Sequence, residues 1–323
     1  MRPQQQEGRA GFDLETRAHM RSIIHLEGLG TKLIPNPVDS EPVSLDLAQG
    51  TWSILGLANQ ISEDVNMKFT LDRAVSRIEA LASKASGARD LLDFYHHVLI
   101  AQRGIYGSLS RGALIGDLER DLRALRPGLR TLLKVARDQG TEFLADGARA
   151  LLEASDTDLD EMLLDYWENP SDVQFFAKAT VQPYALLIAE RGTKPGGRVA
   201  DMRENRCRSC SGKPQLTYLE GQEQEGSTRR MQCATCLASW VFRRVVCANC
   251  LEENPRKLGY FSSPDLAHVR VETCETCKCY IKGVDLSVLG LAVPLVDEVA
   301  AAPLDIWARE QGYTKIELNL VGL

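Results

Sequence analysis

Cys207-Arg208-Ser209-Cys210, Cys233-Ala234-Thr235-Cys236, Cys247-Ala248-Asn249-Cys250 and Cys274-Glu275-Thr276-Cys277 are four Cys-x-x-Cys pairs set close together in one chain. All nine cysteines fall between Cys207 and Cys279, a window of 73 positions in a chain of 323. The first two pairs map onto the last two with offsets of 40, 40, 41 and 41 residues. Pro214 maps onto Pro255 and Arg229 onto Arg270 at the same step. This is an internal duplication of about 40 residues, the kind of periodicity that reveals a repeated unit before any other signal.

The spacing has a chemical reason. Two intervening residues form a tight turn that aims both sulfurs at one point, and two such turns make a tetrahedral four-sulfur cage with metal–sulfur distances of about 2.3 Å. A cage of this kind contributes about 10–16 kcal/mol to folding, which a unit of about 40 residues needs because it cannot bury enough apolar surface alone. The expected metal ligands are Cys207, Cys210, Cys233 and Cys236 for one ion, and Cys247, Cys250, Cys274 and Cys277 for a second. This sequential pairing follows if each repeat carries its whole site; the alternative is a cross-brace, pairs one with three and two with four. Thioredoxin-like redox pairs and structural disulfides explain four regularly spaced pairs less well. A closed cage leaves no open coordination position, so Lewis-acid catalysis is not expected there. Four thiolates suit iron and zinc alike. The glycine often found after such a turn is absent; Ser211, Leu237, Leu251 and Lys278 hold those positions. Cys279 is read as an ordinary thiol, with substitution as a ligand the alternative.

Outward from the cysteines the pattern changes. Residues 1–191 read as a mainly α-helical domain. Leu91, Leu92, Phe94, Tyr95, Val98 and Leu99 recur at helical spacing, as do Leu118, Leu122, Leu125, Leu129, Leu132 and Leu133. Asn169-Pro170-Ser171-Asp172 reads as a helix start with Phe175 to Ala189 as its apolar body; Pro183 is expected to kink or split it. Gly192 is a plausible stop, and residues 192–198 are a linker by composition. Residues 199–240 and 241–284 are the two metal modules, with β-type runs at 215–219, 239–246, 257–262 and 268–272. Residues 285–323 form a tail, helical over 293–309, closed by Gly312, with a strand at 316–320, docking on the core. The polar first dozen residues are expected to be disordered.

The chain carries a formal charge of −6, with 44% apolar and 25% charged residues. That is ordinary for a globular protein and argues against a chain-wide basic footprint for nucleic acid. Residues 201–282 hold 13 basic and 10 acidic residues, a local balance of +3, against −9 for the remainder. Arg206, Arg208, Arg243 and Arg244 read either as compensation for thiolate charge or as a partner-binding patch. The N-terminus does not read as a signal peptide. The longest uncharged stretch, 47–62, is 16 residues, short of the ~20 a membrane helix needs. A cytoplasmic setting follows, with reduced thiols. His96, His97 and His268 read as structural and Trp240 as core between the repeats. There is no Gly-rich phosphate loop, HExxH or GxSxG.

The cysteine region resembles the formate dehydrogenase accessory proteins (FdhE type). The resemblance rests on Cys207-Arg208-Ser209-Cys210-Ser211-Gly212-Lys213-Pro214, on Cys233-Ala234-Thr235-Cys236 with Trp240 and Arg244, on Cys247-Ala248-Asn249-Cys250, and on Cys274-Glu275-Thr276-Cys277 with Tyr280-Ile281-Lys282. It covers roughly residues 200–323. The first pair departs from it at Arg208-Ser209 and Ser211-Gly212. The resemblance implies a cytoplasmic, non-enzymatic maturation factor that binds the formate dehydrogenase catalytic subunit. It also implies two rubredoxin-like modules and favours iron over zinc. The expected fold is α+β: an N-terminal helical bundle, two tandem rubredoxin-like or zinc-ribbon-like four-cysteine modules, and a C-terminal helix plus short strand. A rubredoxin-like one-electron carrier is the first alternative and a zinc-ribbon nucleic-acid binder the second. Homodimer formation is left open.

Overall fold

The computed structural model describes residues 34–35, 71–82, 88–171, 173–193, 203–222 and 226–323. The polar first dozen residues, the uncharged stretch 47–62, Asp172 and linker positions 194–198 lie outside the described residues. The N-terminal part holds helices α1 (Leu71–Ala82), α2 (Arg89–Ser110), α3 (Leu118–Gln139), α4 (Glu142–Glu153), α5 (Asp156–Glu168) and α6 (Phe175–Glu190). Their starts are written in the sequence. Asp117 caps α3 by accepting from Arg120 N at 3.4 Å, and Ser155 and Asp158 form a reciprocal capping box on α5. The periodic leucines of α3 all point into the core.

Helix α6 is buried along almost its whole length and forms the centre of this part. It begins at Phe175 without a side-chain cap, later than the start read at residues 169–172. Pro183 does not split it. A proline in a helix interior removes one backbone donor and so orphans the carbonyl four residues earlier. That carbonyl belongs to Ala179, and the Gln102 side chain of α2 donates to it at 2.9 Å. A neighbouring helix thus replaces the lost bond.

The C-terminal part is built, among the described residues, on one eight-stranded sheet. Its strands are β1 (Ile34–Pro35), β2 (Pro214–Gln222), β3 (Gly226–Cys233), β4 (Ser239–Val241), β5 (Leu258–Ser262), β6 (Val269–Cys274), β7 (Cys279–Asp285) and β8 (Thr314–Lys315). The order is β1-β5-β6-β7-β2-β3-β4, with β8 also on β7. The duplication is visible strand by strand: β2, β3 and β4 correspond to β5, β6 and β7, each trio an antiparallel meander. The trios join through a parallel contact, Leu216–Leu219 of β2 against Lys282–Asp285 of β7. Strands β3 and β7 form outside the β-type runs expected from the sequence, and two others depart from it as well. Ile34–Pro35, within the stretch read as helical, pairs with β5. The run 239–246 yields only the three residues of β4.

The repeats share a buried charge cluster at this junction. Glu272 on β6 accepts from Thr217 Oγ1 at 3.0 Å, from Arg270 Nε at 3.0 Å and from Arg229 Nη2. Arg229 and Arg270 are the duplicated pair seen in the sequence. Gly283 makes room: a Cβ there would lie 2.7 Å from both Glu272 Oε1 and Thr217 Oγ1.

The tail differs from the expected single helical segment. It forms α7 (Pro294–Ala300) and α8 (Ala302–Glu310), broken at Ala301 because Pro303 has no N–H to offer and opens a new first turn. The strand lies at Thr314–Lys315, earlier than 316–320, and Ile316 N donates to Tyr280 O at 3.0 Å. Beneath the tail, Lys282, Lys315, Glu298 and Asp305 have fully buried side chains. Lys282 pairs with Glu298 at 3.1 Å and also with Asp305; Lys315 pairs with Asp305 at 3.2 Å and also with Glu298. Tyr280 and Asn319 complete the carboxylates at 2.8 Å each. Asp297 on α7 ties the parts together, accepting from Arg77 Nε of α1 at 3.0 Å and sitting 3.0 Å from His268 Nε2. His268 lies one residue before β6. No helix among the described residues is long and apolar enough to cross a membrane.

Candidate metal centre

Each Cys-x-x-Cys turn folds the same way. In the first three turns the N–H of the first cysteine donates back to a carbonyl beyond the turn: Cys207 to Gly212 O at 3.0 Å, Cys233 to Ala238 O at 2.9 Å, Cys247 to Glu252 O at 2.9 Å. Closing so tight a loop takes one residue of left-handed backbone. Ser211, Leu237, Leu251 and Lys278 have φ of 60°, 57°, 64° and 54°, and among the described residues no other non-glycine has a positive φ. The four positions where the sequence lacks a glycine are the four that strain the backbone, each costing about 1–2 kcal/mol.

The eight sulfurs gather in two groups, Cys207, Cys210, Cys233 and Cys236, then Cys247, Cys250, Cys274 and Cys277, each group within 4.8 Å. This is the sequential arrangement and not the cross-brace. Sγ atoms of Cys207 and Cys236 are 3.5 Å apart and those of Cys210 and Cys233 are 3.4 Å apart. In the second group, Cys247–Cys277 and Cys250–Cys274 are each separated by 3.7 Å. A disulfide needs about 2.05 Å. A tetrahedron with sulfurs about 2.3 Å from its centre has edges of about 3.8 Å. All nine thiols are free.

Backbone amides face the sulfurs: Thr235 N donates to Cys233 Sγ at 3.3 Å, Asn249 N to Cys247 Sγ at 3.4 Å and Cys250 N to Cys247 Sγ at 3.5 Å. In the first group, hydrogen bonds from Cys210, Cys233 and Cys236 hold the Cys207 thiol well below its ordinary value. The same bonds to Cys207, with burial, push Cys210 and Cys236 well above theirs. In the second group burial drives Cys247 and Cys250 up. Burial acts on Cys277 in the same sense but is outweighed by bonds from the Asn249 side chain, the Cys279 backbone and its sulfur neighbours, which bring it to about 7. Each group therefore accommodates one thiolate readily, at Cys207 and at Cys277, and opposes two, at Cys210 and Cys236 and at Cys247 and Cys250. A cation at the centre removes that opposition, so the donor set fits a thiolate-binding ion in both places.

Cys279 stands outside both groups. Its sulfur accepts from Asn249 Nδ2 at 3.2 Å, and burial pushes its thiol up to about 11. Trp240 is buried and donates to Glu204 O at 3.0 Å. Arg243 pairs with Glu204 and Glu253, Arg244 donates to Ser227 O at 3.4 Å and Arg206 to Asn205 O at 3.0 Å, so these charges are met by oxygens. Sequence reasoning missed Asn205, whose Nδ2 donates to Ala248 O at 3.2 Å and Asn249 O at 2.6 Å, holding the second group's first turn from the first repeat. It also missed Gln182 of α6, which donates to Ala234 O in the first group at 2.9 Å. Neither belongs to a cysteine motif, and both act across long sequence separations. Gly212 carried a readable signal: a Cβ there would lie 2.8 Å from Cys233 Sγ and 3.3 Å from Cys210 Sγ.

Residues 245–321 match the model of the FdhE C-terminal domain. The chain is 28% identical over 269 residues to an FdhE homolog of Aquifex aeolicus, covering 77% of this chain and 94% of that one. It is 25% identical over 276 residues to an FdhE homolog of Proteus mirabilis, covering 79% and 88%. The fold matches the crystal structure of the FdhE protein from Pseudomonas aeruginosa with a TM-score of 0.59 at 21% identity, over 78% of this chain and 95% of that one. Paired knuckles in duplicate, a matched C-terminal domain and relatives of one name along most of the length lead to a single conclusion: the chain is similar to the FdhE proteins, and its residues 245–321 match their C-terminal domain.

Proposed function

We propose that the protein is a cytoplasmic accessory factor for a formate dehydrogenase. It binds the catalytic subunit through a surface shaped by the helical part and the two metal modules, and performs no catalysis of its own. The observation that carries the reading is the pair of closed four-sulfur groups in a chain similar to FdhE proteins. Four cysteine ligands saturate a tetrahedral ion and leave no position for a substrate, which supports a structural or electron-transfer role over Lewis-acid chemistry. The eight cysteines of the two groups are the metal ligands, and iron is favoured over zinc through the family resemblance. Iron in such a site takes up and releases one electron, whereas zinc fixes the fold without redox change.

The chain's own residues do the positioning. The left-handed residues close each turn, the amides of Thr235, Asn249 and Cys250 face thiolate charge, and Arg229, Arg270 and Glu272 lock the modules into one rigid body. The test is a pull-down of the formate dehydrogenase large subunit by the full chain, with elemental analysis and a visible spectrum on anaerobically purified protein. Co-purification, lost when Cys247 and Cys250 are both replaced by Ser, is the expected result. Equal capture by the variant, or none by the wild-type protein, refutes the reading.

A further inference from the structure

The duplicated sites are alike in ligand set and unlike in surroundings. In the first group Cys207, Cys210, Cys233 and Cys236 are 2%, 3%, 0% and 1% exposed. In the second, Cys274 and Cys247 are buried, Cys277 is half-buried and Cys250 is exposed. Three contacts produce the difference. Helix α6 lies against the first group through Gln182 and Ala234. Ala234 N in turn donates to Lys213 O at 3.0 Å, sealing the turn from the other side. Gly212 packs its backbone directly on the sulfurs.

At the second group, the residue whose carbonyl takes the role of Gly212 is Glu252. Its side chain turns outward to Thr276 and, at 3.4 Å, to Lys257. The second group is instead braced from beneath, by Asn205 on its first turn and by Thr314 N donating to Lys278 O at 2.8 Å beside its second. That bracing leaves the Cys250 edge open.

We propose that the duplication has divided the work. The Cys207–Cys236 site is a permanent clamp that does not release its ion. The Cys247–Cys277 site is the exchangeable one, giving up or receiving its ion through Cys250 by ligand exchange with a soluble thiolate or chelating ligand. Exchange at a saturated tetrahedral site begins when an incoming ligand reaches the ion or when a proton from solvent captures one departing thiolate, and the incoming ligand takes the coordination position that the thiolate leaves. Both steps need solvent contact at a sulfur, which governs cysteine reactivity generally and which the shell around a metal site controls. The inference rests on the reading that both groups hold metal, and the experiment separates the two.

The full chain, loaded with zinc, is mixed with excess 4-(2-pyridylazo)resorcinol and release is followed by absorbance. Two ions per chain are expected, one leaving at least tenfold faster than the other. Replacing Cys250 by Ser removes the fast equivalent alone; C210S removes the slow one alone. In parallel, unsubstituted protein is pulsed with iodoacetamide and mapped by mass spectrometry, which stands even if a variant fails to fold. Cys250 and Cys277 label first and the four cysteines of the first group last, with Cys279 as the reference thiol outside either cage. Fewer than two bound ions overturns the two-site reading and the proposal with it. Two ions leaving at one rate, or first-group cysteines labelling first, overturns the division while leaving the two-site reading intact.

Discussion

At the scale of single residues, the most informative positions are those that violate a local rule. Ser211, Leu237, Leu251 and Lys278 occupy left-handed backbone that glycine would adopt freely. The sequence showed the missing glycines, since the duplication put the same gap in all four turns, but it did not show that the chain bends the same way regardless. Lys278 is the cleanest test because its side chain is exposed. Lys278→Gly should hold stability within about 0.5 kcal/mol of the native chain, relief of strain offsetting the looser unfolded state. Lys278→Val should lose about 2 kcal/mol, since a branched side chain tolerates that region worst. Urea midpoints of metal-loaded protein compare the two. Gly212 shows the reverse case, a glycine demanded by close approach. Gly212→Val should leave the chain with one bound ion in place of two after metal loading and desalting without chelator, as read by elemental analysis.

At the scale of elements, helices were more legible than strands. The leucines of α3 recur at a spacing that has one structural meaning, and they are buried where that spacing puts them. Strand β3, Gly226–Cys233, carries Ser, Thr, Arg, Arg and Gln and gives no apolar alternation, because its arginines are buried by pairing and not by hydrophobicity. Strand β7 contains Lys282 and Gly283 and lies outside the β-type runs read from the sequence. The lysine is neutralised by two carboxylates and the glycine makes room for Glu272. Pro183 misled in the other direction, since its cost is met by Gln102, 81 positions earlier in the chain. Gln102→Leu should therefore expose the price of that proline. With Ala179 O left unpartnered, a loss of about 1–3 kcal/mol is expected. The control is Pro183→Ala in the same background, which restores the helix's own bond and recovers part of the loss in thermal melts.

At the scale of the whole molecule, the buried quartet under the tail decides how the C-terminal segment is held. Burial alone would raise the Asp305 carboxyl, but Lys282 and Lys315 outweigh it and hold it below its ordinary value. Burial would lower Lys315, yet Asp305 and Glu298 raise it. The signs set two limits. The carboxylate contribution is complete above the unfolded value of about 3.9 and fades as pH falls through the depressed native one. The lysine contribution is complete below about 10.4 and fades as pH rises through the elevated native one. The quartet thus supports a plateau between about pH 4 and 10. Asp305→Asn, which leaves buried ammonium groups short of one partner, should cost about 3–5 kcal/mol on that plateau. The difference from wild type should narrow toward the acid end, as denaturant titrations across pH will show. No periodicity announces such a quartet, because its members lie on four elements and meet only after the sheet has formed.

The parallel contact between β2 and β7 has a consequence for assembly. Unlike edges meet there, the last strand of one trio against the first strand of the other, so no twofold axis closes the arrangement. Joints of that kind propagate: if the β4 edge of one molecule met the β5 edge of the next, the sheet would extend from copy to copy as a filament. Ile34–Pro35 occupies the β5 edge, and β4 is three residues long, with Arg243 and Arg244 following one residue after its end. A proline-bearing strand at one end and a short, charge-flanked strand at the other are features that stop sheets from polymerising.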